Sequence, residues 1–238
     1  MSGMAWRMSK PAVIVCASTM LLAGCRLEAD FPIYTRDLLD TAKDGNPIPI
    51  SYDLLVPIPS SEKCAQYTTE IGEIIAPHFK KAEARGCFDK GMNSYLKLRV
   101  DTSIYPRQAG FKQEEADKDQ RAAKEPFAVY ASKVNGMVCA GLTAEPNSIK
   151  AMISEIKKKH STAPTEFGFR FMFNNDVRRD VELVVADSFL DGQPIVNQQN
   201  IKVRRRDEKV VQPSNVRETA FWNLGVVEVL CLRSNDQK

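Results

Sequence analysis

The chain has 238 residues, 43% of them hydrophobic, which is enough to bury a substantial core as one domain or two small ones. Its 33 basic and 30 acidic residues give a formal net charge of +3, and this balance provides no argument for a nucleic-acid partner. It contains no P-loop, no Gly-x-Ser-x-Gly motif and no histidine pair at zinc-ligand spacing, because His78 and His160 are the only histidines. We therefore expect no catalytic residue, no metal and no cofactor.

Residues 1–24 have the composition of a secretory signal peptide. Arg7 and Lys10 come before an apolar run over residues 11–23, and the segment contains no acid. The run is shorter than the roughly 20 residues that a membrane-spanning helix needs. It ends in Leu-Ala-Gly-Cys at residues 22–25, which resembles the lipobox of bacterial lipoproteins. An ordinary signal peptide with an incidental cysteine is the alternative.

The lipobox resemblance implies cleavage before Cys25 and lipidation of Cys25, with a diacylglyceryl thioether and an acyl chain on its amine. Two or more acyl chains anchor a protein stably where one chain does not. Removal of residues 1–24 takes away two basic residues and no acid, so the remaining chain carries a formal charge of +1. Arg26, rather than Asp, follows the cysteine. By resemblance to the sorting pattern of such lipoproteins, we expect a cell-envelope protein, anchored in the outer membrane and facing the periplasm.

Four cysteines remain once Cys16 is assigned to the signal peptide and Cys25 to the lipid: Cys64, Cys87, Cys139 and Cys231. An even number of cysteines in an exported protein predicts two disulfides, because the periplasm is oxidising. Four cysteines allow three pairings, and free buried thiols are the alternative.

The first half of the chain divides into a lipidated tether with a short helix, over residues 25–46, and a first α/β unit, over residues 47–105. The unit reads as a strand near 48–57, a helix from Glu62 to about Phe79, a return strand over 82–88 and a long strand over 92–105. Pro77 should end or kink the helix. If it does, the return strand brings Cys87 back toward Cys64, within the roughly 7 Å that a disulfide requires.

The second half begins after a charged connector over residues 106–125, which is either a solvated loop or an acidic partner-binding segment. A second α/β unit follows over residues 126–238. It reads as a hairpin turning at Asn135-Gly136, a helix from Pro146 to about His160, a strand with four phenylalanines on one face, and an apolar last strand over 222–232. Cys139 and Cys231 both lie in apolar, strand-like runs. Neighbouring strands could bring them into bonding range, so we expect them to form the second disulfide.

The two halves share the order of strand, helix, strand, strand. This predicts an α+β fold, with antiparallel sheets and two main helices packed on one face. Two similar strand-helix-strand-strand units are one arrangement that would satisfy it. Arg204, Arg205 and Arg206 form a dense basic patch, interpreted either as a solvated strand edge or as a contact for phosphate or lipid headgroups.

Several short motifs resemble a lipoprotein family of prophages and other mobile elements of Gram-negative bacteria. They span roughly residues 20–105 and comprise, besides the lipobox, Asp37-Leu38-Leu39, Val56–Pro59, Cys64, Cys87-Phe88 and Asn93-Ser94-Tyr95. No activity is assigned to that family, so the resemblance implies a context and no catalytic residues.

These features predict a non-enzymatic binding or structural module, held at the membrane by Cys25, with an envelope protein as its possible partner. Two alternatives follow from a mobile-element context: an envelope modifier that excludes a second phage, and a component of a secretion or conjugation assembly. An enzyme would instead require a concave cluster of acids or polar groups with perturbed pKa values.

Overall fold

The structure is a computed structural model that describes residues 26–107, 125–159 and 166–233. Those residues form thirteen strands and four α-helices. In chain order the elements are β1 (Arg26–Tyr34), α1 (Thr35–Asp44), β2 (Ile48–Ile58), a 3-10 turn (Ser61–Lys63), α2 (Cys64–Ile75), β3 (Ala82–Lys90), β4 (Asn93–Arg107), β5 (Phe127–Val134), β6 (Met137–Ala144), α3 (Pro146–Lys159), β7 (Glu166–Asn174), β8 (Val181–Val185), β9 (Ser188–Leu190), β10 (Gln193–Ile195), β11 (Gln199–Val203), β12 (Glu208–Pro213), α4 (Asn215–Leu224) and β13 (Val226–Arg233).

All thirteen strands belong to one sheet. Twelve of them follow the order β10-β9-β12-β7-β1-β2-β4-β5-β6-β13-β8-β11, and β3 lies off this path, paired with β4. The long strand β4 pairs with β2 along one side. On its other side it pairs with β3 near its start and with β5 near its end. Two pairings are parallel, β1 with β7 and β4 with β5, and the others are antiparallel.

Strand β1 lies in the middle of this sheet, between β2 and β7. Its apolar side chains alternate, so Leu27, Ala29, Phe31 and Ile33 are all fully buried. Its parallel register with β7 runs without a break over the whole strand, from Arg26 opposite Glu166 to Tyr34 opposite Asn174. The chain therefore enters the described fold directly as a central strand.

The sheet curls strongly around its core. Strands β7 and β5 are four steps apart in the strand order, which would separate them by about 19 Å in a flat sheet. Yet Phe167 on β7 and Phe127 on β5 stack with ring centroids 4.4 Å apart. Phe169, Phe171 and Phe173 continue the buried face of β7. The phenylalanine face of β7 is thus covered partly by the opposite wall of the same sheet, at Phe127, and partly by α4, where the rings of Phe221 and Phe169 are 5.2 Å apart.

The predicted α+β class, with antiparallel sheets and two main helices on one face, is wrong. The described residues are mostly β, and they contain four small helices beside one mixed sheet. Residues 26–34, which we expected to be a tether, form β1. The two expected similar units do not form separate sheets either, because β1 beside β7 and β4 beside β5 join the two halves through pairings between distant segments.

Candidate binding surfaces at the two ends of strand β1

Cys25, the predicted lipidation site, lies outside the described residues. Its neighbour Arg26 is the first residue of β1, and consecutive Cα atoms are 3.8 Å apart. The backbone of Cys25 is therefore next to the start of β1. We call this end of the fold the anchor end and the opposite end, beyond Tyr34, the far end. The nine-residue strand β1 extends about 26 Å from Arg26 to Tyr34.

The four remaining cysteines form the two expected pairs. Cys64 at the start of α2 is bonded to Cys87 on β3, with Cα atoms 5.7 Å apart. The geometry arises as predicted, because α2 ends at Ile75, just before Pro77, and β3 returns alongside. Cys139 and Cys231 lie directly opposite each other on β6 and β13 and are also bonded.

A carboxylate lies beside the second disulfide. Donor atoms of Cys139, Cys231 and Glu228 all lie within 4.8 Å of one another, a spacing that could hold a metal ion. Both sulfurs are committed to the disulfide, so in this state the cluster has no thiolate to offer. Burial raises the pKa of Glu228, an effect that the nearby Arg217 and Arg107 oppose.

The far end carries a cavity of about 720 Å³, which we call the Glu125 pocket. Its lining comes from β1, α1, β2, the segment just before β3, β4 and the residue Glu125, and it contains no histidine or cysteine. The lining residues are Pro32, Tyr34, Asp37, Pro49, Ile50, Ser51, Lys80, Lys81, Arg99, Asp101, Thr102, Ser103 and Glu125. Three acids and three cations share this lining, so the cavity offers partners to ligand groups of either charge.

Glu125 is the most unusual side chain of this pocket, because it is an acid that is only 7% exposed. Its Oε2 accepts hydrogen bonds from the hydroxyl of Tyr105 at 2.8 Å and from Oγ1 of Thr102 at 3.2 Å. Burial raises the pKa of Glu125, although these hydrogen bonds and Lys80 oppose the rise. The neighbouring Tyr52 is buried, and its hydroxyl has no hydrogen-bond partner among the described residues.

Asp37 is a second acid of the pocket with a raised pKa. Burial is the main cause, and repulsion from Asp176 and Asp40 adds to it. Ionisable groups with perturbed pKa values in a cleft mark candidate functional sites. Two such acids in one cavity are also the feature that the enzyme hypothesis required, so this pocket is where an activity would be sought.

The anchor end carries a second cavity of about 720 Å³, which we call the anchor-end groove. It lies between α3 and α4, beside the start of β1. Its lining residues are Arg26, Lys150, Ile153, Ser154, Lys157, Phe167, Asn215, Glu218, Thr219, Trp222 and Asn223. Trp222 packs edge-on against Phe167, with ring centroids 5.7 Å apart, so aromatic side chains form part of its wall.

Arg26 fixes the start of β1 against α4. Its guanidinium makes an ion pair with the buried carboxylate of Glu218. The same guanidinium lies over Gly168 of β7, where a Cβ atom would collide with it. Glycine at this position therefore leaves room for the arginine side chain, and the ion pair ties the first described residue to the helix that lines the groove.

A charge ladder crosses the outer face of the β1–β7 pair. Arg170 donates from Nε and Nη2 to the two carboxylate oxygens of Asp30, at 2.7 and 2.6 Å. Arg170 also lies 3.6 Å from Glu28, which is 3.3 Å from Lys90 on β3. Bidentate arginine–carboxylate pairs are geometrically specific. This ladder therefore favours the observed register of the parallel strands.

The basic patch Arg204–Arg206 lies in the turn between β11 and β12, away from the anchor end. The backbone N–H of Arg206 donates to the carbonyl of Asn175 at 2.7 Å, and Asn175 directly follows the last residue of β7. Because β1 and β7 are parallel, this is the far end of the fold. The patch is thus badly placed to contact headgroups of a membrane that holds Cys25.

Sequence reasoning missed both cavities. Glu125 closes a charged run and has no pattern that distinguishes it from its neighbours. Trp222 was read as the start of the last strand, whereas it lies in α4. The alternation of Leu27, Ala29, Phe31 and Ile33 was the available signal for β1, and with it for the absence of a long tether between residue 25 and the fold.

The chain belongs to a family defined as a domain of unknown function, DUF7424, whose model matches residues 27–237. No curated protein and no solved structure matches the chain significantly. Over residues 26–107, 125–159 and 166–233, no helix is both long enough and apolar enough to cross a membrane.

Proposed function

We propose that the protein is an envelope lipoprotein, anchored through Cys25, that works by binding a polar envelope partner at its far end. The observation that carries the proposal is the position of β1. This central strand begins at the residue that follows Cys25, so a lipid on Cys25 would hold the anchor end against the membrane with no linker between them.

This short attachment orients the fold relative to the membrane. The Glu125 pocket would lie about 26 Å along β1 from the anchor and face the periplasm. Its mixed acidic and basic lining suits polar segments of a partner protein, since each charge of a ligand finds an opposite charge nearby. Tyr34, an exposed aromatic residue at its rim, adds apolar contact area of the kind found in protein interfaces.

The anchor is tested by expressing the wild type, Cys25→Ala and Cys16→Ala in Gram-negative cells fed labelled palmitate. We expect the wild type and Cys16→Ala to take up the label and sediment with outer membranes. Cys25→Ala should do neither, because it lacks the thiol that accepts the lipid. Uptake of label by Cys25→Ala would contradict the proposal.

The direction is tested with a photoreactive phenylalanine analogue placed in intact cells at Tyr34 or, as the matched control, at Val216 on α4. Both positions are exposed. Tyr34 lines the Glu125 pocket at the far end, whereas Val216 follows Asn215, which lines the anchor-end groove. Irradiation should cross-link Tyr34 to a discrete envelope protein and Val216 to lipid. Protein cross-links from Val216 alone would overturn the assignment of the far end as the binding end.

A further inference from the structure

The anchor-end groove lies where a membrane would be if Cys25 carries lipid. Arg26 forms part of its lining, and the backbone of Cys25 is one residue away. The groove therefore opens next to the point where the acyl chains would enter the bilayer. The inference rests on the proposed function only in taking Cys25 to be lipidated.

The rim of the groove is positively charged. Lys150 and Lys157 are seven residues apart on α3, so they project from the same helix face about 10 Å apart, with Ser154 between them. The charge of Arg26 is balanced by Glu218. Neither lysine has an acidic partner among the residues that the structure describes. Among the described residues, nothing neutralises these two positive charges at the opening of the groove.

Most of the groove lining is polar or charged, but one part of its wall is apolar, and so is part of the neighbouring helix surface. Phe167 and Trp222 line the cavity, and Ile153 of α3 lies opposite them. On the same helix as Trp222, Val216 is 79% exposed and Leu224 is 64% exposed. A basic rim over an apolar, tryptophan-bearing surface is the arrangement that binds the interface of an anionic membrane.

We propose that the anchor-end groove binds an anionic phospholipid of the membrane that holds Cys25. The phosphate lies between Lys150 and Lys157, and the upper part of an acyl chain lies against Phe167 and Trp222. The lipid would add a second membrane contact beside Cys25 and so help to hold the Glu125 pocket pointing away from the bilayer.

Trp222 provides a local probe, because the only other tryptophan, Trp6, lies within the predicted signal peptide. The full chain, processed by the cell and purified from membranes, is reconstituted in phosphatidylcholine vesicles containing 20% phosphatidylglycerol. In one preparation the phosphatidylglycerol carries brominated acyl chains, and in the other an equal amount of phosphatidylcholine does. Bromine quenches tryptophan fluorescence on contact, so the two preparations report which lipid occupies the groove.

We expect brominated phosphatidylglycerol to quench Trp222 more strongly than brominated phosphatidylcholine does. Lys150→Gln/Lys157→Gln should remove this preference, since each lysine near an anionic surface contributes about a five-fold gain in affinity and the two together about 30-fold. The matched control is Lys43→Gln/Lys133→Gln, which removes two exposed lysines outside the groove and should leave the preference unchanged. A Trp222→Phe variant verifies the source of the signal.

Equal quenching by the two lipids, or a preference that survives Lys150→Gln/Lys157→Gln, would overturn the inference. Thermal unfolding followed by circular dichroism verifies that both double variants are folded. Failure of the anchor is recognised separately, by a mass spectrum of the protein without acyl chains on Cys25. The quenching ratio, measured with the same vesicles added to that protein, still decides whether the groove selects anionic lipid.

Discussion

The two disulfides close loops of very different length, and their removal should therefore have unequal effects on stability. Cys139 and Cys231 are 92 residues apart, whereas Cys64 and Cys87 are 23 residues apart. In the chain-entropy model, the first cross-link stabilises the folded state by about 4.6 kcal/mol and the second by about 3.4 kcal/mol, because the longer loop restricts the unfolded chain more. The expected difference is about 1.2 kcal/mol.

The two loops do not overlap along the chain, so their effects should be nearly additive. Losing both disulfides would cost about 8 kcal/mol, a large part of the 5–15 kcal/mol that stabilises an ordinary domain. We therefore expect the variant without any of the four cysteines to be largely unfolded at 37 °C, while each double alanine variant folds.

Urea unfolding of Cys139→Ala/Cys231→Ala and Cys64→Ala/Cys87→Ala measures how much unfolding free energy is lost when each disulfide is removed. The dependence of the free energy of unfolding on urea should steepen in both variants, since an unfolded chain without cross-links exposes more surface. Wild type treated with a reductant is the control and should resemble the variant without cysteines. The reasoning fails if removing the 23-residue link costs as much as removing the 92-residue link.

Two further predictions concern single residues. Burial raises the pKa of Glu125 above its usual 4.5, so the folded state binds this proton more tightly than the unfolded state does. The wild type should therefore lose stability relative to Glu125→Gln as the pH rises from about 4.5 through the raised pKa. Urea titrations from pH 4 to 8 measure this, and a difference in unfolding free energy between the two proteins that does not change with pH would contradict it. Gly141→Ala should destabilise the fold by about 3 kcal/mol, because its Cβ would collide with the backbone carbonyl of Val227. Gly72→Ala, which has open space in α2, should instead stabilise it by up to about 1 kcal/mol, and urea unfolding of both variants measures the two effects.

Several elements of the fold were accessible from sequence because local chemistry dictates them. Asn135-Gly136 turns the hairpin between β5 and β6, and both residues have positive φ. Ile149, Met152, Ile153 and Ile156 form the buried stripe of α3, as their spacing predicts. Pro77 stops α2 early enough for Cys87 to return to Cys64.

The sheet order could not be obtained in the same way. β1 pairs with β7 across 140 residues, and nothing in the apolar alternation of either strand identifies its partner. Alternating apolar residues predict that one face of a strand is buried, but the curl of the sheet determines what covers that face. The helix preceding β7 was expected over its four phenylalanines, whereas Phe127 from the opposite wall stacks on Phe167 and Phe221 of α4 packs against Phe169.

The sequence by itself determined the candidate anchor at Cys25, the set of cysteines that pair, and most of the local elements, since these depend on residues near one another along the chain. Only the tertiary structure decided that β1 starts at Arg26 in the centre of the sheet, that Lys150 and Lys157 flank a groove beside it, and that Glu125 is buried at the far end. Those facts depend on which distant strands pair and how far the sheet curls, and both are settled by packing the whole core at once.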